Sequence, residues 1–130
     1  MRWAAAALAL IVAWPVGTTP VLAGPGDVNA HSFYTTGKAL EAKGMGAMFD
    51  GRLRPAMAQL KAAAQSTRTA NETAAARGVP LYCVSAAQRK KGMTPNQVLA
   101  MLGRIPESRR RALTLQQAWQ EAMVREYPCP

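Results

Sequence analysis

Two cysteines, Cys83 in Leu81-Tyr82-Cys83 and Cys129 in Tyr127-Pro128-Cys129-Pro130, are the only ones in the 130-residue chain. A bond between them would close a loop of about 47 residues, which the chain-entropy argument values at roughly 4 kcal/mol. Against a typical total stability of ~5–15 kcal/mol, that is a large share. Such a bond would fasten the C-terminus back onto the middle of the chain. Whether it forms depends on the compartment, because thiols are kept reduced in the cytosol and oxidised outside it. Neither cysteine has a C-x-x-C partner, so a thioredoxin-like redox role is not expected.

The first residues address the compartment. Met1-Arg2 is a short positive start, Trp3 to Val16 is apolar, and Val21-Leu22-Ala23 ends on a small residue. Charged start, short apolar run and small terminal residue are the pattern of a secretory signal peptide over 1–23, cleaved after Ala23. The apolar run is about 14 residues, short of the ~20 that a spanning helix needs, and Pro15 and Gly17 break it. The expected product, Gly24 to Pro130, is one exported, soluble, disulfide-bonded domain without a membrane span.

Across the whole chain 16 Lys and Arg face 7 acidic residues. Removing Arg2 with the signal leaves 15 against 7, a net charge of +8. The basic residues cluster at Arg89-Lys90-Lys91 and at Arg109-Arg110-Arg111. A surface of that sign attracts anionic partners: an acidic protein, an envelope polymer or a lipid headgroup. Nucleic acid is not expected, since no aromatic residues lie among the basic ones to stack on bases.

The pattern after the signal predicts an all-α domain of about four to five helices over 32–130, preceded by a flexible Gly- and Pro-containing leader at 24–31. Ser32 reads as the N-cap of a first helix from Phe33 to Lys43, which the Gly44-Met45-Gly46 break ends. A second helical stretch covers Ala47 to Ala64, with Leu53, Met57, Leu60 and Ala64 at helical spacing and a kink expected from Gly51 and Pro55. Ser66 to Thr73 reads as a short or frayed helix at best. Asn71-Glu72-Thr73 matches a glycosylation acceptor triplet, a pattern short enough to arise by chance. Ser85 to Gly92 reads as a loop. Thr94 before Pro95 is a strong helix start, followed by the stripe Val98, Met101, Leu102 and Ile105. A last helix is expected from Glu107 to Glu126, burying Ala112, Leu115, Ala118, Trp119, Ala122 and Met123. Most of the methionines (Met45, Met48, Met57, Met93, Met101, Met123) are assigned to core packing.

The residues offer little chemistry. His31 is the only histidine, so no His-rich metal site forms, and two separated cysteines do not complete one. The acidic residues are scattered, with Glu121 and Arg125 spaced for a surface ion pair. No nucleophile has a base nearby in sequence. Neither catalysis nor a cofactor is expected.

One ordered set of features carries a resemblance. Tyr82-Cys83 is followed by Met93-Thr94-Pro95-Asn96-Gln97-Val98, then Ile105-Pro106, then Ala112 through Ala122, then Tyr127-Pro128-Cys129. In that order they resemble the C-terminal half of the Rap/Tai family, periplasmic immunity proteins that neutralise cell-wall amidase toxins delivered by type VI secretion. Phe33, Gly37 and Leu40 look like the family's opening helix, and Phe49-Asp50-Gly51 is similar to its aromatic-x-x-Gly second helix. The resemblance implies a helical enzyme inhibitor whose protein partner is a secreted peptidoglycan amidase. A second cysteine pair that members often carry is absent: Lys43 and a residue near Ala47 stand in its place. The contact element proposed from charge and position is the segment with Arg89, Lys90 and Lys91. A second copy of the chain, as a homodimer, is a further candidate partner. The contrasting expectation, from charge alone, is a free-standing basic envelope protein: a stress chaperone or a binder of anionic envelope components.

Overall fold

Three Ser/Thr-x-x-Gln boxes punctuate the second half of the chain, and each starts a helix. Ser85 with Gln88, Thr94 with Gln97 and Thr114 with Gln117 all bond reciprocally, the hydroxyl accepting from the glutamine N–H and the glutamine side chain accepting from the cap N–H. Two otherwise orphaned donors are satisfied at every start. The computed structural model describes residues 24–130. Among them are six α-helices: α1 (Ala30–Ala42), α2 (Leu53–Ala76), α3 (Ala86–Lys91), α4 (Pro95–Gly103), α5 (Glu107–Ala112) and α6 (Leu115–Glu126). Two 3-10 stretches, Pro25–Asp27 and Gly44–Phe49, complete an all-α fold without strands among the described residues. The signal segment assigned to 1–23 lies outside these residues.

Four helices are long, and α1, α2, α4 and α6 surround the core. Leu102, Ile105 and Leu115 are fully enclosed there, with Phe33, Val98, Met101, Trp119 and Met123 packed around them. The disulfide joins Cys83 to Cys129, with 4.8 Å between their Cα atoms. Beside it the Cys83 N–H donates to the Tyr127 carbonyl, so the staple and one backbone bond hold the chain end against the segment after α2.

Several expectations are corrected. The segment 24–31 is not a flexible leader. Gly26 is buried so tightly that a Cβ there would sit 3.2 Å from the Ala63 nitrogen. Ala30 N–H donates to Leu113 O, and Leu115 N–H donates to Val28 O. The N-cap of α1 is Asn29, not Ser32: its side chain accepts from His31 and Ser32 and donates to the Arg111 carbonyl. His31 is therefore on the first turn of α1, its imidazole 3.7 Å from Glu107.

The kink and the frayed helix are likewise replaced, by one 24-residue helix through Ala76. Gly51 precedes it, and Pro55 falls in its first turn, where the missing N–H costs nothing. The long final helix is instead two, because Thr114 caps a new start after the extended Leu113. Glu121 consequently pairs with Arg109 across the α5–α6 junction rather than with Arg125.

The largest correction concerns which face of α2 is buried. Of the stripe of large residues, Met57 is exposed and Leu53 and Leu60 are only half-buried against the core. Ala56, Ala63 and Thr67 are the buried residues, one step around the helix. Small side chains let the 3-10 stretch at Gly26 approach the α2 backbone, while Met57 stays exposed. Of the methionines, Met101 and Met123 are buried, but Met45, Met48, Met57 and Met93 are exposed.

Candidate functional site

A cleft of about 520 Å³ opens between α2, α3 and α6, beside the disulfide. Its walls follow from the elements just described. Leu60 and Ala64, the inner end of the displaced α2 stripe, form one side. Buried Trp119 and Met123 from α6, Val98 from α4 and Tyr82 form the apolar depth. The exposed residues Arg68, Glu72, Gln88 and Arg89 also line it and supply its polar side.

Asn71 positions the Tyr82 wall. Its side-chain oxygen accepts from the Leu81 N–H at 2.8 Å and the Tyr82 N–H at 3.1 Å, and its amide nitrogen donates to the Tyr82 carbonyl at 3.1 Å. One side chain thus satisfies three backbone groups of a segment that has no helix to do so. The acceptor triplet Asn71-Glu72-Thr73 therefore has its amide committed to the backbone. Burial pushes the Tyr82 phenol pKa up, with Arg68 acting the other way and Glu72 adding to the rise. The hydroxyl stays neutral through the physiological range.

Arg89, Lys90 and Lys91 are on a helix, α3, rather than in a loop. Gly92 ends it at φ +69°, a backbone conformation that strains any residue with a Cβ. All three cations occupy the last turn, where they complement the helix dipole. The structure separates their roles. Arg89 lines the cleft and donates to the Val84 carbonyl at 3.2 Å. Lys91 lines a smaller hollow of about 290 Å³ beside Met101, Arg104 and Tyr127. Lys90 lines neither.

The second basic run is structural. Arg110 is buried with its guanidinium 4.1 Å from the Tyr34 ring centroid. One of its nitrogens donates to the carbonyls of Leu102, Gly103 and Ile105, closing the C-terminus of α4. Arg109 is bound to Glu121 and Arg111 to Glu107. Those contacts raise the Arg109 pKa and lower that of Glu107, the hydrogen-bonded partner being the main cause in each. Arg54, Lys61, Arg68, Arg77, Arg89, Lys90, Lys91 and Arg125 have no carboxylate within ion-pair distance among the described residues.

Chemically, the lining combines an apolar and aromatic depth with cationic side chains, and contains no Ser, Thr, Cys, His or Lys. Sequence reasoning found Arg89 but missed the rest of this site. Leu60 and Ala64 were read only as members of a helical stripe, and nothing local signals that Asn71 and Tyr82 meet. Among the described residues no group of His, Cys, Asp and Glu could hold a metal ion, and no helix is long and apolar enough to cross a membrane. No protein-family model, curated protein or solved structure matches the chain.

Proposed function

We propose that the protein is a periplasmic inhibitor: an exported, disulfide-stapled helical domain that binds and neutralises a cell-wall-degrading amidase. The observation that carries the reading is the open apolar cleft, lined by Arg68 and Arg89 and placed beside the Cys83–Cys129 staple. An apolar depth supplies affinity and unpaired cations supply orientation, the division of labour expected of a recognition site. The lining has no nucleophile–base pair, which suits binding rather than catalysis. The ordered features that resemble the Rap/Tai family fall on the segment that builds most of this cleft, and they supply the class of partner.

A second reading is favoured by the eight basic side chains without carboxylate partners: a free-standing envelope protein that holds anionic components. The test is co-expression with any small Cys/His amidase that a neighbouring gene encodes; an isolated gene favours the second reading. The inhibitor reading expects protection of cells exporting the amidase to the periplasm, and a complex on purification. Absence of both defeats it. Retention on anionic envelope polymer without amidase binding selects the second reading.

A further inference from the structure

The turn between α1 and α2 carries the two most exposed large apolar residues among the described residues, Phe49 and Met45. Met45 is 81%, Met48 71% and Phe49 92% exposed, all within the 3-10 stretch Gly44–Phe49, and Met57 on α2 is 51% exposed. A phenylalanine so fully in water forgoes the burial that a core position provides. Isolated exposed apolar residues are ordinary, but three within five positions form a patch of the kind that marks contact sites.

The turn is also held in shape. Asp50 follows Phe49 and accepts from the Arg52 backbone N–H at 2.9 Å, from two nitrogens of the Arg52 guanidinium and from Lys43. Those bonds, led by Arg52, pull its pKa far below the usual carboxylate range. They tie the C-cap of α1 to the start of α2, so the apolar side chains stand on a braced backbone and lose less freedom on binding.

We infer that this turn is a second docking surface, inserting Phe49 with Met45 and Met48 into an apolar pocket rimmed by carboxylates on the amidase. The inference rests on the inhibitor reading for the identity of the partner. Charge selects the chemistry of the rim. Lys43, Arg52 and Arg54 surround the turn, while the one carboxylate, Asp50, has its side chain only 8% exposed. An acidic rim is therefore complementary. Aromatic residues, methionine and arginine together are the side chains enriched at protein interfaces. A second copy fits worse, because a two-fold contact would set Lys43, Arg52 and Arg54 against themselves. A lipid surface fits worse too, since membrane-surface binding grows with buried apolar area and this stretch is only six residues long.

The experiment uses protein exported from the full chain and recovered from the periplasm, and measures its Kd for the adjacent-gene amidase by calorimetry. Phe49→Ser is compared with wild type and with Phe49→Leu, thermal melting serving as the check on folding. The expected result is Phe49→Ser binding on the order of a hundredfold more weakly with an unchanged melt, Phe49→Leu recovering most of the affinity. Tight binding by Phe49→Ser overturns this docking surface and leaves the inhibitor reading standing. Failure of wild type to bind the amidase overturns both. Two further results overturn the inference in favour of another occupant. One is wild type, but not Phe49→Ser, sedimenting with anionic phospholipid vesicles without binding amidase. The other is a wild-type dimer that Phe49→Ser converts to monomer.

Discussion

The two ends of α2 contrast in how they treat large apolar side chains. At its C-terminal end the chain turns back through Tyr82 and the disulfide into a region where Leu102, Ile105 and Leu115 are wholly enclosed. At its N-terminal end Phe49, Met48 and Met57 remain in water, and α2 itself buries only alanines and a threonine. One region uses its large residues to hold the fold. The other buries small residues most deeply and is tied by ion pairs, with Leu53 half-buried against the core and Phe49, Met48 and Met57 left free for contact. Hydrophobicity of a stripe therefore does not say which way it faces; the shape of the neighbour does.

The contrast can be broken most severely at the staple. Cys83→Ser should remove roughly 4 kcal/mol and lower Tm by about 15 °C, read by calorimetric melting. An unchanged melt would mean that packing alone holds the stapled half. Next in size is the matched pair Leu102→Ala and Met57→Ala. The first should cost about 3 kcal/mol by chemical denaturation, within the range for a buried leucine. The second should cost less than about 0.5 kcal/mol, as for exposed sites. Equal losses would erase the distinction between the two regions.

Arg110→Lys should cost about 2 kcal/mol despite keeping the charge. Lysine cannot place a planar fork both against Tyr34 and at the carbonyls closing α4. Near-wild-type stability would reduce that arginine to a solvated charge. The smallest effect is at Asp50. Its carboxyl is depressed in the folded state, so it stabilises above its unfolded pKa of about 4 and loses that contribution as pH falls toward the folded value. Asp50→Asn should flatten the fall of Tm below about pH 4, and a pH profile identical to wild type would show that the turn is braced otherwise.

Much of the stapled half was legible because its signals are local. Thr94 with Pro95 caps α4, Val98, Met101, Leu102 and Ile105 form its stripe, and Ala118, Trp119 and Met123 are buried where their spacing puts them. The break at Thr114 was missed: Thr114 and Gln117 stand at capping-box spacing, but the apolar repeat across it masks the signal. The candidate cleft was barely legible. Arg89 could be read from charge, yet Asn71 reaches a segment ten residues on, and nothing in its helical spacing marks Leu60 as a cleft residue.

From the sequence alone follow an all-α chain, the capped start of α4 and the Cys83–Cys129 staple, because capping, periodicity and cysteine count act over a few residues or through composition. Tertiary structure alone decided which stripe of α2 was buried. Ala56, Ala63 and Thr67 repeat at helical spacing just as Leu53, Met57 and Leu60 do. The close approach of Gly26 to the Ala62–Ala63 backbone selects the small-residue face, and a cleft and an exposed turn remain on the other side.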